Sequence, residues 1–340
     1  MDEKIIKGGL DIGNKNLKVC GSENNAHEIP VAYEEVSKYD YDNELVSKDI
    51  EKVFYNDKYY FVGLQCQRGL PQNKGDIAIR EIANMFKLVG LARELRERSV
   101  SEGEFYLVTG TPVVDYDEYK GDYTDLMLSQ DKEYELIELN NEQYKIKVSK
   151  VRITKQSACI APTIPNWRET DFILMDFGGG TLDIAFFQRG VKERYLTLKF
   201  PLNEILEDLG NVLNVYKLGL PRPNSLDSGF IKTMEDVVLK GMYRNKTSIE
   251  INGEIIKLDE FCSDWLQSKV DNIIEDVKIR LGLSQTDSES IEIYYIGGGS
   301  KLLSKELAKN TGFKNKKIIE NPHFANVVIY HTMANSIDWE

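Results

Sequence analysis

Asp176 stands between an apolar run, Phe172-Ile173-Leu174-Met175, and a turn of three consecutive glycines, Gly178-Gly179-Gly180. Thr181 and a second run rich in β-formers, Leu182 to Phe187, follow. Short apolar runs on either side of a glycine turn read as a buried hairpin. Three glycines strip every Cβ from its tip, so backbone N–H groups can converge on an anion. A carboxylate at the mouth of such a turn needs a cation, and a divalent metal, usually Mg²⁺, is the ion that joins it to a phosphate. Without an anion the same stretch is a glycine-rich hairpin with a capping acid.

Two further stretches favour the anion. Near the N-terminus, Asp11-Ile12-Gly13-Asn14-Lys15-Asn16 repeats the arrangement of strand, Asp-x-Gly, small polar turn and strand, close to half a chain length before Asp176. Near the C-terminus an alternating strand, Ile291 to Ile296, runs into Gly297-Gly298-Gly299-Ser300 and then into a helix-like stretch, Lys301 to Asn310. Any one of the three is weak evidence; together, in this order and spacing, they are strong.

The order DIGN, DFGGGTLD, IGGGS resembles the phosphate-1, phosphate-2 and adenosine motifs of the actin, sugar-kinase and chaperone-ATPase superfamily. Within it the chain looks most like the ParM group of bacterial actin-like, plasmid-segregating ATPases. That likeness covers nearly the whole length and includes the polar turn Asn14-Lys15-Asn16 and the closing segment Phe324 to Tyr330. It implies an α/β actin-like ATPase fold, two similar RNase H-like domains flanking a nucleotide cleft. Domain I would span 1–155, completed by a C-terminal helix in 321–340, and domain II would span 156–320.

The resemblance also implies ATP/ADP and Mg²⁺ as ligands. Gly13, Asn14, Lys15, Asn16, Gly178, Gly179, Gly180 and Thr181 would meet the phosphates, with Lys15 approaching the β-phosphate; a solvated turn lysine is the plain alternative. Gly297, Gly298, Gly299 and Ser300 would lie along the adenosine. Asp11 and Asp176 would hold the metal through its waters, and Asp183 would back them or share it. Gln156 matches the position of the family's water-orienting residue, with the actin-like choice where ParM-like proteins commonly carry Glu. Outside the family it reads as a surface glutamine. Phosphoryl transfer asks a protein mainly for positioning and charge stabilisation. One orienting side chain, Gln156, and one acid near the attacking water, Asp176, therefore suffice for slow hydrolysis.

Three readings follow. A ParM-type ATPase that polymerises with ATP for plasmid DNA segregation comes first, with itself and a DNA-bound adaptor of the ParR type as partners. A small-molecule kinase of the same superfamily would need a base for its acceptor hydroxyl and usually a longer chain, and no convincing base is apparent. A chaperone-type ATPase shares the DFGGGTLD loop, but little chain follows the adenosine motif to make a substrate-binding domain.

Composition fits the first reading. The chain has 340 residues, 41% of them hydrophobic, enough for two domains with proper cores. No apolar run approaches the ~20 residues needed to cross a bilayer, and neither a signal peptide nor a membrane-binding amphipathic helix is expected, so the protein should be cytoplasmic. Its 55 acids against 43 bases, a net charge of −12, argue against direct nucleic-acid binding. Cys20, Cys66, Cys159 and Cys262 are scattered with no C-x-x-C spacing; three sit in apolar surroundings and read as small core residues of a reduced protein. Only His27, His323 and His331 are present, which makes a His-based triad or a zinc site improbable.

The elements that position the three turns are legible too. Asn56-Asp57, Asn140-Asn141 and Asn252-Gly253 read as hairpin turns. Ile77 to Leu95 spaces Ile79, Ile82, Ala83, Phe86, Val89 and Leu95 as an amphipathic helix docked on domain I. Glu104 to Val113 reads as a strand with Thr109 to Pro112 as its exit turn, and Lys155 to Pro162 as the start of a short helix. Asp259 can cap a long helix carrying Cys262, Leu266, Val270, Ile273, Ile274, Val277 and Leu281 on one face. His323 to Ile337 should be a helix that returns to the first domain.

Overall fold

β1 (Ile5–Ile12) turns into β2 (Asn16–Ser22), and β3 (Asn25–Pro30) completes an antiparallel meander. The computed structural model describes residues 5–13, 16–22, 25–45, 50–63, 66, 68–69, 77–111, 116–129, 133–200, 202–221 and 228–339. Asn14 and Lys15 lie outside the described residues. The chain divides into two compact units, Met1–Gln156 with Asn326–Glu340, and Ser157–Ala325.

In the first unit β4 (Ala32–Val36), α1 (Lys38–Asn43), β5 (Glu51–Tyr55), β6 (Lys58–Val62) and β7 (Arg68–Gly69) follow the meander. Then come α2 (Ile77–Glu97), β8 (Glu102–Thr111), α3 (Tyr116–Met127), β9 (Glu135–Leu139) and β10 (Glu142–Lys155). The strands form one ten-stranded sheet in the order β3-β2-β1-β8-β10-β9-β5-β6-β4-β7. β1 runs parallel to β8, joining residues about a hundred positions apart, and β8 runs parallel to β10. β8 keeps its ladder through Thr111, which pairs with Lys155, so Thr109, Gly110 and Thr111 belong to the strand rather than to an exit turn.

Asn56, Asp57, Asn140 and Asn141 all have positive φ, the backbone a two-residue hairpin with matched twist requires. α2 is more enclosed than its pattern implies. Residues 82–92 are buried without a break, because β2 and β10 lie on one side of it and α3 on another. Lys87 is therefore buried as well; its ammonium donates to Glu135 Oε2 at 3.2 Å and to the carbonyls of Leu126 and Met127. Burial pushes its pKa below the usual lysine value, against the pull of Glu135.

The second unit opens with a 3₁₀ turn, Ala158–Thr163. The meander β11 (Phe172–Phe177), β12 (Thr181–Gln188) and β13 (Val191–Lys199) follows. α4 (Leu202–Val215) and α5 (Ser228–Lys240) lead to the hairpin β14 (Ser248–Ile251) and β15 (Glu254–Lys257), whose turn is Asn252-Gly253. α6 (Leu258–Leu281), α7 (Gln285–Ser290) and β16 (Glu292–Ile296) come next. The helix-like stretch after β16 is two short helices, α8 (Gly298–Leu302) and α9 (Ser304–Lys309), before β17 (Asn315–Ile318). A 3₁₀ turn, Pro322–Phe324, precedes α10 (Ala325–Ser336).

The five-stranded sheet of this unit runs β13-β12-β11-β16-β17, with β11, β16 and β17 parallel. This is the order and polarity of β3-β2-β1-β8-β10 in the first unit, so one strand arrangement occurs twice. Ile173, Met175 and Phe177 alternate onto the face covered by α4, α5 and α6, where Leu206, Leu209, Met234, Leu266, Val270 and Ile274 complete the core. Asp176 has the opposite parity and faces away from that core.

α10 packs on the first unit. A Cβ at Gly9 would lie 2.3 Å from the Val327 carbonyl, and one at Gly110 would lie 1.9 Å from the Tyr330 hydroxyl, so two glycines form the seat of the helix. The ring of Trp339 completes the contact, 5.4 Å from that of Tyr106. Among the described residues no helix is long and apolar enough to cross a membrane.

Candidate functional site

All three glycine turns leave the C-terminal ends of strands in a parallel arrangement, the edge where open α/β sheets bind ligands. β1 is followed by Gly13, β11 by Gly178 and β16 by Gly297.

In the first unit Asp11, 4% exposed, faces Lys18 across the β1–β2 ladder, with Oδ2 3.8 Å from Nζ. Gln156 follows the last residue of β10. Its backbone N–H donates to the Thr111 carbonyl at 2.9 Å and its Nε2 to Asp11 Oδ1 at 3.2 Å. It sits in a turn rather than on a helix. Parallel pairing of β10 with β8 and β8 with β1 thus brings Gln156 to Asp11 from 145 positions away. Gly13 closes the hairpin through its N–H to the Asn16 carbonyl at 3.1 Å, and a Cβ there would come within 2.9 Å of that oxygen. The Asn16 side chain donates to Glu28 on β3.

In the second unit Asp176, 7% exposed, accepts from Ser157 Oγ at 3.0 Å. Asp183 stands directly opposite Asp176 across the hairpin and accepts from Thr197 Oγ1 at 2.5 Å. Two carboxylates opposite each other on one face repel, and such a pair is the donor set a hard divalent cation uses. The Gly178 N–H donates to the Thr181 carbonyl, and α4 presses on the turn through the Asn203 N–H to the Gly179 carbonyl at 3.1 Å.

β11 and β16 are adjacent, so the turns at Gly178 and Gly297 are neighbours. Gly297 has φ 85 and ψ 164, and a Cβ on it would lie 2.2 Å from Asp176 Oδ1. A Cβ on Gly299 would meet Phe177, whereas those on Gly180 and Gly298 would meet nothing within 4 Å. One side of the paired turns is therefore packed against protein and the other open. Ser300 is buried and donates to the Gly297 carbonyl at 2.8 Å, so its side chain braces the turn. Thr181 is exposed at the tip. Beneath lies Tyr295, whose hydroxyl burial holds in the neutral form.

Lys18 and Ser157 escaped the sequence reading. Lys18 could have been found by counting outward from the first turn, since Ile12 pairs with Leu17 and Asp11 with Lys18. Ser157 had no such signal. It is the first residue of the second unit and takes φ 63, ψ −52, unusual for a residue with a side chain.

Repeated strand order with paired glycine turns defines the actin-like ATPase fold, and solved structures carry it. The actin-like protein Alp7A has a TM-score of 0.73 at 15% identity, covering 98% of this chain and 96% of its own. A 15-stranded ParM filament from Clostridium botulinum gives 0.67 at 18%, covering 99% and 100%. The archaeal actin homolog Ta0583, in complex with ADP, gives 0.70 at 15%, covering 98% and 100%. No curated protein matches by sequence. The N-terminal domain model of the actin-like proteins matches residues 9–158, and that of the Alp7A C-terminal domain matches 171–326. The two models together match most of the chain, which belongs to the actin-like proteins.

Proposed function

We propose that this chain is an ATP-hydrolysing actin-like protein that assembles with ATP into dynamic filaments. One observation carries the reading. In each unit a nearly buried aspartate, Asp11 or Asp176, sits beside a glycine turn at the C-terminal edge of parallel strands. The second unit adds the open side of Gly180 and Gly298, where backbone can approach a phosphate and an adenosine. ADP bound to Ta0583 and the ParM filament support nucleotide binding and self-association for this fold.

The residues fit Mg²⁺, a hard ion that takes one or two carboxylates and keeps several waters. Asp11 and Asp176 would hold it, and it would neutralise charge on the phosphate oxygens. Gly13, Asn14, Lys15, Asn16, Gly178, Gly179, Gly180 and Thr181 receive the phosphates. Gly297, Gly298 and Gly299 pass along the adenosine, and Ser300 fixes their turn. Gln156 orients the attacking water; its amide already reaches Asp11. Hydrolysis is slow and sets filament lifetime. With a net charge of −12 the filament engages plasmid DNA in the cytoplasm through a basic, DNA-bound adaptor of the ParR type rather than directly.

Sedimentation and electron microscopy with Mg²⁺ and a non-hydrolysable ATP analogue test this. Filaments that pellet with the analogue and disappear with EDTA are expected. Equal pelleting under both conditions overturns the reading.

A further inference from the structure

The C-terminal end of α2 carries Glu94 and Glu97 one helical turn apart, beside β2 and β3. Glu94 is 1% exposed. It reaches inward because residue 21 is glycine, where a Cβ would lie 2.2 Å from its Cδ. Arg98 Nε donates to Glu94 Oε1 at 2.9 Å, but Oε2 is buried with no hydrogen-bond partner among the described residues. His27 on β3 places Nε2 2.9 Å from Glu97 Oε2, yet outside hydrogen-bonding geometry, and that nitrogen too lacks a partner. Asn25 Nδ2 donates to Glu97 Oε2 at 2.5 Å and fixes it.

One ligand atom from each of His27, Glu94 and Glu97 lies within 4.8 Å of the other two. A buried polar atom without a hydrogen-bond partner is costly, and two of them converge here. The His27 imidazole nitrogen and the Glu97 carboxylate oxygen, 2.9 Å apart without hydrogen-bonding geometry, stand as two ligands of one ion would. We propose that His27, Glu94 and Glu97 bind one divalent cation of the zinc class, with water completing its coordination.

The donor set selects the metal. Mg²⁺ and Ca²⁺ favour all-oxygen sites, whereas imidazole suits zinc and its neighbours. Ligand atoms of tetrahedral zinc, with bonds of ~2.0–2.1 Å, stand about 3.3 Å apart, so small rotamer changes close the site. Cys20 Sγ donates to the Ser22 carbonyl at 3.4 Å and is not among the three residues whose ligand atoms converge. The scarcity of histidine counts against a multi-histidine centre; here the carboxylates supply two of three ligands. The ion would fasten the β2–β3 edge of the sheet to α2, through residues other than those of the candidate nucleotide site.

The test uses the full, tag-free chain with excess Mg²⁺ and no nucleotide. Zn²⁺ binding is followed by chelator competition and thermal melting, and Co²⁺ by its visible absorption. One equivalent of Zn²⁺ per chain, a raised Tm and a Co²⁺ spectrum of low coordination number are expected. Affinity should fall at least ~100-fold in His27→Ala, beyond the loss typical of an outer-sphere change. His27 is partly exposed, so this variant should fold even where Glu94→Gln does not, and circular dichroism checks it. No bound zinc in the parent, or one equivalent retained by folded His27→Ala, overturns the proposal.

Discussion

Replacing Gly297 by alanine separates what the paired turns need for folding from what they need for a ligand. At φ 85 and ψ 164 the backbone is in a region essentially reserved for glycine, and holding a side chain there costs ~1–3 kcal/mol. The new Cβ would also lie 2.2 Å from Asp176 Oδ1 and 2.6 Å from the Phe177 carbonyl. Backbone cannot rotate aside, so overpacking adds a further ~1–3 kcal/mol. A total of about 4 kcal/mol should lower Tm by about 8–16 °C at ~2–4 °C per kcal/mol. The displaced carboxylate should weaken ADP binding as well. Gly298→Ala is the control, because its Cβ meets nothing within 4 Å and its φ is ordinary; its Tm should stay within ~2 °C of the parent. Thermal melts and titration with a fluorescent ADP analogue read both. A Gly297→Ala melt within 2 °C of the parent would refute the argument.

Gln156→Ala should cut ATP hydrolysis by ~10²-fold while leaving assembly nearly intact, giving over-stable filaments. Phosphate release at the parental rate would remove Gln156 from the chemistry. Glu135→Gln strips the buried Lys87 of its counter-ion, and breaking such a pair costs ~3–5 kcal/mol; urea denaturation measures it, and a loss under 1 kcal/mol contradicts the pairing. Burial raises the thiols of Cys20, Cys66 and Cys262 from 9.0 to about 11, 12 and 12. The unfolded chain then releases protons first, so stability is intact below pH 9 and falls as pH rises toward 11. A urea midpoint at pH 10.5 equal to or above that at pH 8.5 would contradict this.

Local signals in the sequence carried far. Asn-rich pairs at 56–57 and 140–141 specify hairpins because positive φ is a property of the residue itself. Helix α6 keeps Cys262, Leu266, Val270 and Ile274 on one buried face, as its spacing requires. The mixed ten-stranded order was hidden, since β1–β8 and β8–β10 pair across long intervening stretches rather than through any turn. The enclosure of α2 was hidden for the same reason: Lys87 and Glu94 look like solvent residues until α3 and Arg98 cover them. In the site, the Asp-x-Gly and glycine turns were visible as backbone needs. The Ser157 bond to Asp176 depends on a tertiary meeting that no local pattern encodes.

Because α10 sits on Gly9 and Gly110, the first unit is begun by residues that precede the second unit and finished by residues that follow it. During synthesis the whole of the second unit, Ser157–Ala325, leaves the ribosome before the helix that covers β1 exists. The second unit is one continuous stretch of chain, while the groove along β1 stays uncovered until α10 has been made. Emergence of α10, rather than collapse of the N-terminal sequence, then sets when the first unit is complete. A nascent chain that has not reached α10 cannot offer a finished first unit.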